Sequence, residues 1–272
     1  MRPKPLTRVA THVALITFTA VFIGPVVYAA ITATQDQSAA LSPSLALGTD
    51  LLVNVELAWS RFRLGEFMGN TVIVAVTVTL AKTVLSLLAG AAFVYFRFPL
   101  RGVAFTLVLF TLMMPTEVLI IALFDVVEWM GLYGTLPALI LPFMASATST
   151  FLFRQHFLRV PRDIVEAAQV DGAGPLRFVR SVLVPLSWNT IAALAVVDII
   201  YIWNMYLWPL INAVGPESTM VQVGLVRLLV DQQVTHYGVI MAGAMLTMIP
   251  VLVVFLALQE RFTRGFALST ER

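Results

Sequence analysis

Three ionisable side chains stand inside runs that are otherwise apolar: Lys82, Glu117 and Asp198. A charge in hydrocarbon is expensive, so each must be paired, turned toward water or put to use. Two readings stand side by side. In one, Lys82 pairs with Glu117 or Asp198, and the pair only fixes helix packing. In the other, the ammonium meets an anionic solute and the carboxylates hydrogen-bond solute hydroxyls. Two carboxylates against one lysine make a poor field for an anion. On that ground these residues shape a path across the membrane rather than create affinity. Tyr201 and Asn204 join the set, because flat rings and an amide suit a polyol. The wider cluster Tyr201, Trp203, Tyr206 and Trp208 reads, for at least half its members, as an aromatic belt at a membrane interface.

A second set lies in a basic, polar stretch from Arg154 to Pro185. Pro161 suits a first helical turn, and Asp163 and Glu166 put negative charge near the helix N-terminus, where the dipole favours it. Ile164, Ala167, Ala168 and Asp171 follow at i, i+3, i+4 and i+7, so one face is small and mostly apolar. The run Asp171-Gly172-Ala173-Gly174-Pro175 then ends the helix, and Pro175 can open another. A helix of about two turns is marginal alone in water, so this one must dock. Ala167 and Ala168 would let a partner approach closely.

Other chemistries are excluded by pattern. No P-loop, HExxH or GxSxG motif occurs. Gly172-Ala173-Gly174 follows a helix rather than a strand, which makes it a turn and not a phosphate cradle. The chain has no cysteine, and its three histidines, His12, His156 and His236, are far apart, so no metal site is expected. No catalytic residue and no cofactor is assigned to this chain, and any energy source must come from another subunit.

The elements that must position these residues are membrane helices. Of 272 residues, 59% are hydrophobic and 12% charged, with a mean hydropathy of +0.90. Soluble domains carry roughly 25% charged residues, which places this chain in a lipid bilayer. The pattern predicts an all-α membrane protein with six transmembrane helices, at about 13–33, 70–96, 102–124, 135–153, 186–211 and 238–258. The first is read as a retained span rather than a cleaved signal, with a kink at Gly24-Pro25. Residues 34–69 form an outer loop with a short amphipathic helix near 51–62. Residues 125–134 form a short acidic loop, 212–237 a second outer loop, and 259–272 a basic tail. Thirteen of the seventeen Lys and Arg fall in the N-terminus, Arg97 to Arg101, Arg154 to Arg180 and the tail. The positive-inside rule therefore puts both termini and the 154–185 loop in the cytoplasm. The sequence pI of 9.1 reflects this topology bias, and no nucleic-acid partner is read from it.

Located there, Glu166-Ala167-Ala168-(x2)-Asp171-Gly172-Ala173, with Pro185 thirteen residues after Gly172, resembles the EAA loop of ABC importer permease subunits. The resemblance covers nearly the whole chain. Phe98-Pro99-Leu100-Arg101, Thr111 to Pro115, Pro142 to Thr148 and Tyr206 to Leu210 look like the carbohydrate-uptake (maltose-type) branch. Within it the chain is most similar to permeases of glycerol-3-phosphate (Ugp-type) importers. The resemblance implies a single permease domain of the type I importer fold, in a bacterial inner membrane. It implies a coupling role for 154–185, carried by Asp163, Glu166, Ala167, Ala168, Asp171, Gly172 and Pro185. Lys82, Glu117, Asp198, Tyr201 and Asn204 are the candidate path residues. The implied partners are a second homologous permease, two ATP-binding subunits that hold ATP and Mg, and an extracytoplasmic substrate-binding protein. The implied solute is glycerol-3-phosphate or a glycerophosphodiester, with a maltose- or trehalose-type sugar as the near alternative. A stand-alone ion-coupled carrier using Lys82, Glu117 and Asp198 is the competing class. Such carriers often show internal repeats, and none is evident here.

Overall fold

The computed structural model describes residues 5–40, 44–230 and 236–267, and every regular element among them is helical. In chain order these are α1 (Pro5–Thr32), α2 (Gln37–Ala40), α3 (Leu51–Glu56), α4 (Leu64–Tyr95), α5 (Arg101–Leu112), α6 (Ile120–Trp129), α7 (Leu136–Ile140) and α8 (Ala147–Phe157). Then follow α9 (Arg162–Val170), α10 (Pro175–Phe178), α11 (Val184–Leu186), α12 (Trp188–Trp203), α13 (Leu207–Asn212), α14 (Val221–Val230) and α15 (Tyr237–Ala267). Single π-helical turns follow α3 and α10, at Leu57–Arg61 and Val179–Leu183. The ends of the basic termini, with Arg2, Lys4 and Arg272, lie outside the described residues, as do residues 231–235 of the second outer loop.

Among the described residues, four helical stretches are long and apolar enough to cross a membrane: Thr11–Thr32, Leu64–Tyr95, Leu136–Phe157 and Tyr237–Ala257. Pro175–Leu186 and Trp188–Trp203 make a further one if the bent pair is a single span. The expected third span, 102–124, is not one helix. It breaks into α5 and α6 around Pro115, and the first half of the expected acidic loop at 125–134 is the end of α6. Proline lacks an N–H and its ring clashes with the carbonyl four residues back. The break consists of tight turns, Met114 N–H to Thr111 O at 3.3 Å and Val118 N–H to Pro115 O at 3.1 Å.

The expected fifth span, 186–211, is interrupted twice. Pro185 is preceded by the π-helical turn, which relaxes the clash its ring would make. At Ser187 the axis turns by 76°. The helix stops again at Asn204 and restarts as α13, because Pro209 would collide with the carbonyl of Met205 in a continuous helix. Elsewhere the helices outrun the expectation. α4 begins at Leu64 rather than near 70, α8 ends at Phe157 rather than near 153, and α15 takes up residues 259–267, part of the expected tail.

Two compact units divide the chain. The first draws on the chain up to Gly65 and on Gly224–Pro250. Its loop is tied by side-chain amides: Asn54 donates to Ala33 O and Gln35 O, each at 2.9 Å, and Gln35 donates to Ala46 O at 2.6 Å. α3 and the turn after it realise the short helix expected near 51–62.

The second unit draws on Glu66–Val223 and on the chain beyond Val251. It carries two apolar clusters, both anchored on α4 and α12. One gathers Val74, Val78, Leu139, Phe143, Ile202 and Trp208. The other gathers Leu87, Ala91, Phe153, Phe157, Ala168, Phe178 and Leu194. α4 and α8 meet closely at Gly90, where a Cβ would lie 2.8 Å from Phe153 Cβ. A side chain there would push the two helices apart.

Candidate functional site

α9 is short, nine residues, yet fastened on one side. Ala168 is buried within the second unit's α4–α8–α10 cluster, with Val165 and Ala173 packed beside it. The expected common face of Ile164, Ala167, Ala168 and Asp171 is therefore split. Ala168 is spent on this chain's own core, Ile164 is half-buried, and Ala167 and Asp171 are exposed. The free stripe is Asp163, Glu166, Ala167 and Val170, with Val170 88% exposed. Leu176, at the start of α10, is 80% exposed.

The geometry of the loop explains its rigidity. Pro161 precedes the helix, as its N-cap, rather than opening it. Asp163 lies in the first turn, within reach of the helix dipole; Glu166 lies in the second, beyond it. At the other end Asp171 is the C-cap and Gly172 takes φ +69°. Gly172 N–H donates to Gln169 O and Ala173 N–H to Ala168 O, each at 3.0 Å. That pair of bonds is a Schellman closure, which needs a left-handed residue at Gly172 and draws Ala173 onto Ala168. Pro175 opens α10 as expected, at its first position. Tyr95 of α4 packs its ring edge-on against Phe178 at 5.2 Å and donates to Phe157 O at 3.1 Å. Pro185 is exposed, within the run that ends at Leu186.

The intramembrane charges have a definite arrangement. Lys82 Nζ lies 3.0 Å from Asp198 Oδ1, bridging α4 and α12. Both residues are buried, 7% and 8% exposed. Along both helices the pair falls between the two apolar clusters: Val78 and Leu87 flank Lys82, and Leu194 and Ile202 flank Asp198. The lysine also sits 5.2 Å from the ring centroid of Tyr201, one turn beyond Asp198. Of the two carboxylates open to Lys82 in the sequence, the structure pairs it with Asp198. Glu117 is exposed, in the break between α5 and α6.

That break and the break at Asn204 face a common space. A cavity of about 380 Å³ is lined by Thr116, Glu117, Tyr201, Asn204, Tyr206 and Phe143, among others. Asn204 donates to Ile200 O at 2.8 Å, closing the end of α12. Three candidate path residues, Glu117, Tyr201 and Asn204, thus share one cavity, while Lys82 and Asp198 lie behind Tyr201. Trp203 and Trp208 are buried and cannot be belt residues. Trp208 donates its indole N–H to Ala138 O at 3.1 Å. A large ring with one donor is held in a core when that donor finds a carbonyl.

Sequence reasoning passed over Thr116, Phe143 and the place of Tyr206 in the cavity lining. It also missed Asn70, which is buried at the N-terminal end of the expected second span. Asn70 donates to Pro216 O at 2.9 Å and Thr219 O at 3.0 Å, holding the turn between α13 and α14. The available signal was an amide at the edge of an apolar run, which must find acceptors.

Comparison with known proteins then decides the family. Residues 82–267 match the family described as "Binding-protein-dependent transport system inner membrane component". The chain belongs to this family. It is an ABC importer permease, an inner-membrane, multi-pass transport subunit. It is 38% identical to the sn-glycerol-3-phosphate transport system permease protein UgpE of Salmonella typhi, over 94% of each chain. It is likewise 38% identical to the UgpE protein of Rhizobium meliloti, over 99% of each, and 36% identical to that of Escherichia coli K12, over 96%. The permease fold matches a chain of a bacterial ABC transporter that imports the acidic polysaccharide alginate. The TM-score is 0.86 at 21% identity, over 97% of this chain and 100% of that one. A bacterial alginate ABC transporter in complex with alginate pentasaccharide-bound periplasmic protein matches at TM-score 0.66 and 15% identity.

Proposed function

We propose that this permease forms half of the translocation path for glycerol-3-phosphate or a glycerophosphodiester in a bacterial inner membrane. The near full-length likeness to permeases named for sn-glycerol-3-phosphate transport supports that solute. In this reading the chain crosses the membrane six times with both termini cytoplasmic, the interrupted stretches 101–129 and 188–212 each serving as one crossing. Irregular backbone at membrane depth is tolerated where it is buried in protein or lines a water-filled cavity, and the cavity between the two breaks meets that condition. A second, homologous permease supplies the other half of the path.

The observation that carries the mechanism is α9. Its free stripe, Asp163, Glu166, Ala167 and Val170, is exposed while its other face is packed on its own chain. An ATP-binding subunit receives that stripe, and ATP and Mg are held there, not here. Gly172 sets the helix end, Ala168 seats the segment on this chain's own core, and Pro185 follows the π-helical turn that leads toward α12. When the pair of ATP-binding subunits closes, α9 moves as a rigid body, and α10 and the π-helical turn carry the displacement toward α12. An extracytoplasmic binding protein delivers the solute from the outer side.

The test uses the assembled complex in proteoliposomes. Glycerol-3-phosphate uptake must require ATP and the binding protein. Uptake by this chain alone, driven by a proton or sodium gradient, overturns the reading.

A further inference from the structure

The cavity between the breaks carries one formal charge, and it is negative. Among the described residues that line it, Glu117 is the one acidic side chain, and neither lysine nor arginine is present. Lys82, the near cation, is withheld: Asp198 neutralises it at 3.0 Å, and the Tyr201 ring lies against its ammonium. The remaining polar groups are the Asn204 amide, the Thr116 hydroxyl and the phenols of Tyr201 and Tyr206, with Phe143 supplying an apolar wall. Small-solute sites commonly combine apolar and aromatic walls with a few placed polar groups. A carboxylate accepts hydrogen bonds from hydroxyls and repels a phosphate.

We propose that this cavity is a solute subsite that takes the hydroxyl-bearing, uncharged end of the solute, with Glu117 and Asn204 as its hydrogen-bonding groups. The phosphate end faces away from this chain's wall. Lys82 is a positioning residue: it fixes Tyr201 and does not serve as the counter-ion. The inference rests on the permease reading and adds which end of the solute this chain meets.

The chain has no cysteine, so single-cysteine variants report the cavity directly. In the assembled complex, with binding protein and ATP, Tyr206→Cys and Leu207→Cys, at two lining positions outside the proposed hydrogen-bonding pair, are treated with a small thiol reagent, and the mass of this chain is followed. Glycerol-3-phosphate is expected to slow labelling at both positions by about tenfold, and inorganic phosphate to leave it unchanged. Protection by inorganic phosphate, or no protection by glycerol-3-phosphate while uptake proceeds, overturns the proposal.

Orientation is read separately. Glu117→Gln keeps a hydrogen-bonding group but loses the charge, and it is expected to lower the solute moved per ATP by less than the loss of both does. Glu117→Leu is expected to lower it by about tenfold while ATPase stimulation by the loaded binding protein persists. If Glu117→Lys raises uptake of glycerol-3-phosphate, the anion faces this wall and the assignment is wrong. If the unaltered complex takes up no glycerol-3-phosphate, it is the substrate reading that fails, and the two failures are told apart.

Discussion

The loop around α9 and the cavity wall on α12 handle charge in opposite ways. On α9, Asp163, Glu166 and Asp171 stand exposed, and the helix is held from behind by Val165, Ala168 and the Gly172 closure. On α12, Asp198 is buried and tied to Lys82, leaving Tyr201 and Asn204 exposed. Water solvates the first set at little cost, so those charges are free to meet a partner. Low dielectric forbids that freedom to the second set, and each buried charge must be neutralised within the chain. A coupling surface and a path wall thus call for different supports: a capped helix end in one case, a buried ion pair in the other.

The largest expected effect comes from breaking the buried support. Asp198→Ala leaves the Lys82 ammonium unpaired, and removal of one partner of a buried pair costs about 3–5 kcal/mol. The expected outcome is loss of assembled complex, measured by size-exclusion recovery in detergent. The double variant Lys82→Met with Asp198→Leu is expected to recover most of it. If the single variant assembles normally, the pair is not a packing element.

Glu166→Lys reverses a charge on the exposed stripe without touching the core of the chain. Juxtaposed like charges at an interface cost several kcal/mol, so binding-protein-stimulated ATPase activity is expected to fall by about tenfold or more. Membrane insertion and the yield of this chain should not change. Unaltered stimulation would mean that the stripe does not meet the ATP-binding subunit.

Gly172→Ala addresses the support behind that stripe. No neighbour lies within 4 Å of a Cβ built there, so the expected cost is conformational: a residue other than glycine at φ +69° costs about 1–2 kcal/mol. Thermal unfolding of the complex should shift modestly, and ATPase coupling should weaken less than in Glu166→Lys. The smallest effect is expected from Asp163→Asn, which removes a first-turn carboxylate worth about 0.3–1 kcal/mol to the helix dipole. A loss as large as that of Glu166→Lys would give Asp163 a direct contact instead.

Several features were legible in the residues alone. Composition alone called for a bilayer. The EAA pattern named the family that the comparisons then bore out, and turn chemistry at Gly172 and Pro175 located the ends of α9 and α10. Tyr201 and Asn204 were paired from the sequence, and the structure puts them on one cavity. The expected stretches 102–124 and 186–211 are each interrupted for one reason, which is that a hydropathy run does not say where a helix breaks. Pro115 and Pro209 were visible, but the consequence of each depended on whether neighbouring helices could satisfy the freed carbonyls. The face of α9 was misjudged in the same way, because periodicity groups Ala167 with Ala168 and only the packed cluster separates them.

The sequence by itself determined the helical membrane class, the charge asymmetry of its loops and the family, since these depend on composition and local spacing. Only the tertiary structure decided that Lys82 belongs to Asp198 and not to Glu117. It alone showed that Trp203 and Trp208 are core, and that the breaks at Pro115 and Asn204 open onto the same cavity. The physical reason is distance along the chain. Lys82 and Asp198 are 116 residues apart, and no local propensity acts across such a span; the packing of α4 against α12 brings them together.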